Sequence, residues 1–72
     1  MSIEFSIKED TVSIKFKNKT YKINKQKLCD IIMLLDEIKG ISISYSNEEI
    51  LINKIKEYKL LDEVFLENVN HL

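Results

Sequence analysis

The first third of the chain alternates apolar and polar residues with the period of two that is typical of half-buried strands. Three segments show it, residues 3–7, 12–16 and 20–23, each with its apolar side chains on one face. Short polar segments separate them, and Asn18 in the second can adopt the left-handed backbone conformation of a tight turn. The pattern predicts an antiparallel meander of three strands with one apolar face.

The pattern then changes to a helical period. Asn24 is a favourable N-cap residue and Gly40 a favourable C-terminal stop, so we predict a helix over residues 25–39. Apolar residues recur along it at the spacing of one helical face, at Leu28, Ile31, Ile32, Leu35 and Ile38. Three further residues widen this face, Cys29, Met33 and Leu34. A face this wide predicts a helix that is buried on more than one side.

The second half of the chain is less regular. Residues 41–45 alternate again and form either a fourth strand at the sheet edge or an extended linker. The segment SNEE at 46–49 predicts a capping box, with Ser46 as N-cap, at the start of a helix over residues 47–66. The apolar face of this helix changes direction near Lys59. Either the helix breaks there, or one long helix is apolar on two sides.

The predicted fold is therefore α+β: a small antiparallel sheet of three strands, or four with 41–45, with two to three helices packed on one face. Its 72 residues predict one compact domain, 1–72, with a marginal core. One cysteine excludes an intrachain disulfide, and one cysteine with one histidine cannot supply a zinc site. Small chains without such supports often rely on a partner subunit, so we expect a homodimer.

Composition narrows the setting. We find no apolar run long enough to cross a membrane and no basic, then apolar, N-terminal segment, so we expect neither a membrane span nor a signal peptide. A free cysteine favours a reducing compartment, and we predict a cytoplasmic protein. Twelve isoleucines and eleven lysines beside no arginine suggest an AT-rich genome, such as that of a low-GC bacterium, its phage or a plasmid.

Charge is divided along the chain. Residues 1–28 hold seven lysines and three acids, whereas residues 29–72 hold four lysines and nine acids. The strands carry a candidate basic binding face made of Lys8, Lys15, Lys17, Lys19 and Lys22. Without arginine this face cannot form bidentate contacts to guanine, and without aromatic residues it cannot stack bases, so only phosphate contact remains for nucleic acid. The alternatives are an acidic protein partner or a solvated strand face.

A second candidate surface is apolar. Leu60, Val64 and Leu66 exceed what one helical stripe needs, so they either form an interface or return to the core through a helix break. Catalysis is not expected: Cys29 is predicted to pack in the core, His71 lies near the C-terminus, and the adjacent acids are predicted to lie on solvated faces. We predict no catalytic residues, no metal site and no cofactor.

Two segments, KTYKINKQKLCDIIMLLDEI and INKIKEYKLL, loosely resemble the peptide-recognition domain of peptide-modifying systems. That family is a small winged-helix module whose third strand accepts a leader peptide by sheet extension. The family places another helix between these two segments, where this chain has only KGISISYSNEE. The resemblance implies a domain that binds peptides and does not carry over any individual residue.

These observations favour a small non-enzymatic protein-binding module, of the kind that mobile elements encode to inhibit or redirect a larger bacterial protein. A nucleic-acid-binding regulator that uses the lysine face is the first alternative, although we expect nucleic acid less than protein as the partner. Peptide binding by strand addition, at 41–45 or at the N-terminal strand, is the second.

Overall fold

A computed structural model describes residues 3–41 and 47–72 of the chain. The fold is α+β, as predicted, with an antiparallel three-stranded sheet in the order β1-β2-β3. The elements are β1 (Glu4–Lys8), β2 (Thr11–Phe16), β3 (Lys19–Asn24), α1 (Lys25–Ile38), α2 (Glu48–Glu57) and α3 (Glu63–Asn68), followed by a 3₁₀ turn (Val69–His71). The possible fourth strand falls on residues that lie outside the described part of the chain, apart from Ile41.

The register of the sheet follows the alternation in the sequence. Ile14 lies between Phe5 and Tyr21, so the apolar side chains of all three strands occupy the same face. Lys17 and Asn18 connect β2 to β3 with both residues at positive φ, 53° and 62°. This is the geometry of a type I′ turn, which matches the twist of paired strands. The predicted role of Asn18 is confirmed.

The core lies between the inner face of the sheet and the helices. Its members are Val12, Ile14, Phe16, Tyr21, Ile23, Leu28, Ile32, Leu51, Ile55, Leu60, Leu66 and Val69. Helices α1 and α2 contribute apolar residues at the four-residue spacing of one face, Leu28 and Ile32 in α1 and Leu51 and Ile55 in α2, and α3 contributes Leu66. The inner-face residues of β1 are only partly buried against this core, because the helices pack on β3 more than on β1.

Helix α1 begins at Lys25, as the sequence predicts, and ends at Ile38, one residue before the predicted end. The Asn24 side chain accepts a hydrogen bond from the Lys27 amide at 3.0 Å and caps the first turn. At the other end Gly40 has φ of 75°, and the Ile41 amide donates to the Asp36 carbonyl at 2.8 Å. These are the features of a Schellman motif, for which glycine is the favoured residue.

The predicted helix over 47–66 is two helices, because the chain turns at Lys59. This residue adopts φ of 55°, and the Leu60 amide donates to the Ile55 carbonyl at 3.0 Å, which is again a Schellman geometry. Asp62 then caps α3 by accepting from the Val64 amide at 2.7 Å. The break near Lys59, the first of the two alternatives, is therefore correct.

The start of α2 also differs from the prediction. Asn47 is the N-cap, and its side chain accepts a hydrogen bond from the Glu49 amide at 2.7 Å. The cap is thus one residue later than the predicted capping box, whose Ser46 lies outside the described residues. Glu48 and Glu49 still occupy the first turn, where their charge favours the positive end of the helix dipole.

Candidate interaction surfaces

The lysine face that the sequence predicts is divided in two. Lys8, Lys15 and Lys22 are exposed on the outer face of the sheet, opposite the core. Small polar residues lie between them, with Ser13 paired to Ser6 on one side and to Lys22 on the other. Lys15 is opposite Glu4, which offsets part of its charge. The outer face is therefore polar and weakly basic.

Lys17 and Lys19 do not belong to this face, which corrects the prediction. The Lys19 ammonium lies 2.8 Å from Glu67 Oε1, and the Lys17 ammonium lies 3.5 Å from Glu63 Oε1. Lys19 is opposite Phe16 in the register and so is directed towards the helices. The hydrogen bond and the charge of Glu67 raise the pKa of Lys19. Both lysines thus pair with α3, and their charge is not free for an anion on the outer face.

The predicted apolar interface is likewise corrected. Leu60 and Leu66 are core residues, with Leu66 only 4% exposed, whereas Val64 is 71% exposed. The turn at Lys59 changes the direction of the chain, so that Leu60 and Leu66 return to the core that the sheet and α1 form. Val64 alone remains at the surface, and one exposed valine is not a docking surface.

The exposed apolar residues are concentrated on α1 instead. Leu34 is 60% exposed and Ile38 is 82% exposed, although the sequence pattern placed both on the wide buried face of this helix. They are one turn apart, and the half-buried residues Ile31 and Leu35 lie between them and the core. We call Leu34 and Ile38 the α1 apolar stripe. The sequence signalled this stripe through the width of the apolar face of α1, which is greater than one packed layer of the fold can cover.

Acidic side chains flank the α1 apolar stripe. Asp30 and Glu37 are exposed on the same side of the helix, and Asp30 Oδ1 accepts a hydrogen bond from the Gln26 side chain at 2.8 Å. Two nearby lysines are engaged elsewhere. Lys27 donates to the main-chain carbonyls of the C-terminal turn, and the Lys39 ammonium lies 4.7 Å from the centre of the Tyr58 ring. The exposed face of α1 is therefore apolar and acidic.

A buried polar cluster joins α1 to α2. Asp36 is 2% exposed, and its Oδ1 accepts hydrogen bonds from the Lys54 ammonium, at 3.2 Å, and from the Tyr58 hydroxyl. Asp36, next to Glu37, is one of the adjacent acids for which the sequence predicts a solvated face, and that prediction is wrong. The hydrogen bond to Asp36 raises the pKa of Tyr58. Desolvation opposes the charge of Lys54, but the bonds to Asp36 and Glu57 outweigh it and raise the pKa of Lys54. The cluster holds two helices together.

The two edges of the sheet differ. At β3, the Asn70 side chain accepts from the Asn24 amide and donates to the Lys22 carbonyl, both at 2.9 Å. One amide side chain thus binds two of the outward backbone groups of β3, one donor and one acceptor, as a neighbouring strand would. At β1, the described residues provide no such partner for the outward backbone groups. Among residues 3–41 and 47–72, the edge of β3 is therefore partly occupied and the edge of β1 is open.

Few of the described side chains are suited to catalysis or metal binding. Cys29 is half-buried against the core, as predicted, and burial raises the pKa of its thiol. Among residues 3–41 and 47–72, no group of three or more His, Cys, Asp and Glu side chains is placed to hold a metal ion. In the same residues, no helix is both long and apolar enough to cross a membrane.

Comparison of this chain with protein-family models, curated proteins and solved structures finds no significant match. The peptide-recognition domain that the sequence resembles would offer its third strand to a leader peptide. In this structure the Asn70 side chain occupies the edge of β3. Sheet extension at that strand would require Asn70 to leave.

Proposed function

We propose that this chain is a small non-enzymatic protein-binding module that docks on a larger protein through the exposed face of α1. The observation that supports the proposal is the α1 apolar stripe, with Leu34 and Ile38 more than half exposed beside Asp30 and Glu37. Soluble domains rarely leave clustered apolar side chains in water unless a partner covers them. The occupant that fits is a protein surface with an apolar centre and basic residues around it.

The rigidity of α1 supports the same proposal. The helix is capped at both ends, and the Asp36 cluster ties it to α2. A binding helix that is already ordered loses little conformational entropy when it docks, so more of the apolar contact appears as affinity. The basic outer face offers less, because it retains three lysines and one opposing Glu4 and lacks both arginine and aromatic residues.

The test uses charge substitutions in the stripe. Leu34→Lys and Ile38→Lys, alone and together, place a cation where the partner is expected to be apolar and basic. Both residues are exposed, and lysine suits the last turns of a helix, so circular dichroism and the unfolding midpoint should stay close to the wild type. Val64→Lys is the matched control, since it introduces the same cation at an exposed aliphatic residue of α3.

The readout is capture of one protein from a low-GC bacterial lysate, followed by titration of that purified protein. We expect the double variant to weaken binding by at least about a hundredfold and Val64→Lys to leave it within about twofold, as for central and peripheral interface positions. Glu37→Lys should weaken binding by a smaller factor that salt removes. Equal binding by the wild type and the double variant, or recovery of the bait alone, would refute the proposal.

A further inference from the structure

The backbone of β1 can be followed through the register of the sheet. Successive strand residues direct their N–H and C=O groups to opposite neighbours. Asn70 binds the Asn24 amide and the Lys22 carbonyl, so these groups face away from β2. Lys22 pairs with Ser13, whose backbone groups therefore face β1, and Ser13 pairs with Ser6, whose backbone groups therefore face β2. It places the N–H and C=O groups of Phe5 and Ile7 on the open edge.

The side chains of β1 are divided in the same regular way. Phe5 and Ile7 are half-buried on the inner face, where they extend the core to the edge of the sheet. Glu4, Ser6 and Lys8 are exposed on the outer face. The strand pairs with β2 over five consecutive residues without a bulge, and it contains no proline. It therefore lacks two of the features that prevent an edge strand from pairing further, a bulge and a proline, while its charged residues are limited to Glu4 and Lys8 on the outer face.

We propose that β1 pairs antiparallel with β1 of a second copy of this chain, centred on Ser6, to form a six-stranded sheet across a two-fold axis. The juxtaposition that carries this is the placement of Glu4 and Lys8 at opposite ends of one outer face. In that register Glu4 lies opposite Lys8 of the second copy, and Lys8 lies opposite its Glu4. Each strand complements itself.

The backbone geometry selects the same register. Pairing about Ser6 sets Phe5 opposite Ile7 of the second copy, and both residues direct their N–H and C=O groups to the open edge. Two such pairs exchange about four main-chain hydrogen bonds, since each pair of this kind exchanges two. A shift of two residues in one direction sets Glu4 opposite Ser6, and a shift in the other sets Glu4 opposite Asp10. Neither keeps the two charge pairs.

The inner face adds an apolar contact. Phe5 of one copy would cover Ile7 of the other, and the half-exposed sides of both residues would leave water. The contact is smaller than a standard interface, so we expect a dissociation constant of the order of 10–100 µM. The surface is separate from the α1 apolar stripe, and neither proposal depends on the other.

Complementary charge variants test the pairing. Glu4→Lys gives a strand with two lysines, and Lys8→Glu gives a strand with two glutamates. Each should self-associate about tenfold or more weakly than the wild type, because like charges then face each other twice. An equimolar mixture of the two should form a heterodimer at least as strong as the wild-type dimer. Sedimentation equilibrium at low salt measures all three cases, and Leu34→Lys should dimerise like the wild type.

Nuclear magnetic resonance on an isotopically mixed sample locates the contact. Glu4 and Lys8 of the second copy form a non-hydrogen-bonded pair, for which a strong Hα–Hα contact between the copies is expected. Exchange protection of the Phe5 and Ile7 amides should rise with protein concentration, while that of the Ser6 amide, bonded within the sheet, should not.

Four outcomes would each overturn the proposal. One is a monomer at about 1 mM, well above the expected dissociation constant. Another is a dimer whose dissociation constant is the same in the wild type and in the charge variants. A third is protection of the Phe5 and Ile7 amides at every concentration, which would mean that a segment of the same chain fills the edge. The last is protection that appears only with an added peptide, which would assign the edge to a foreign strand.

Discussion

Alanine substitutions at Leu66 and at Val64 test whether α3 folds back on the core, as the turn at Lys59 requires. The two residues are two positions apart on one short helix, and both are aliphatic. Leu66 is 4% exposed and Val64 is 71% exposed. Leu66→Ala removes three buried carbon atoms, worth about 2.4 kcal/mol of transfer free energy, and the cavity left behind brings the loss to about 3 kcal/mol.

Val64→Ala should change the free energy of unfolding by no more than about 0.5 kcal/mol, as for other exposed positions. A domain of this size has a total stability of about 4–11 kcal/mol, so the Leu66 variant loses a large share of it. Urea unfolding followed by circular dichroism at low micromolar concentration measures both. A loss below about 1 kcal/mol for Leu66→Ala, or equal losses for the two variants, would refute the inward placement of Leu66. It would restore Leu60, Val64 and Leu66 as a surface.

Four further predictions concern single residues. Lys59→Gly should raise the free energy of unfolding in urea by about 0.5–1 kcal/mol, since glycine adopts positive φ without strain. The raised pKa of Tyr58 stabilises the fold fully below about pH 10, and this stabilisation is lost as the pH rises through the pKa of the folded protein. In an absorbance titration of tyrosinate formation, Tyr58→Phe should remove the last step. Asn70→Asp removes the donor to the Lys22 carbonyl and should cost about 1–2 kcal/mol in the same unfolding assay. Cys29, whose pKa burial raises, should react with iodoacetamide several-fold more slowly in the folded protein than in urea.

The strands and α1 could be predicted because their signals are local. Alternation of apolar residues sets the faces of the strands. Asn24, just before α1, and Gly40, just after its C-cap, mark the two ends of the helix. The turn at Lys59 was left open for a physical reason. A lysine occupies the left-handed position that glycine usually takes, so the sequence shows a change of apolar face without the usual stop signal.

The surfaces were harder to predict because they depend on contacts between distant residues. Asp36 is buried because it meets Lys54 and Tyr58, which are 18 and 22 residues further along the chain. The inward direction of Lys19 follows from its alternation with Tyr21 and Ile23, but its partner there, Glu67, is 48 residues away and has no local signal. Periodicity assigns a residue to a face of its own element, but it does not show which neighbours cover that face.

The Asn70 side chain has a consequence for how many molecules can join. Copies that each offer one self-complementary surface assemble only into dimers, whereas copies that offer two different complementary surfaces can assemble into open filaments. In residues 3–41 and 47–72, Asn70 binds two of the outward backbone groups of β3, so a strand can add at that edge only after this side chain leaves. A single amide thus favours a finite pair over a growing filament.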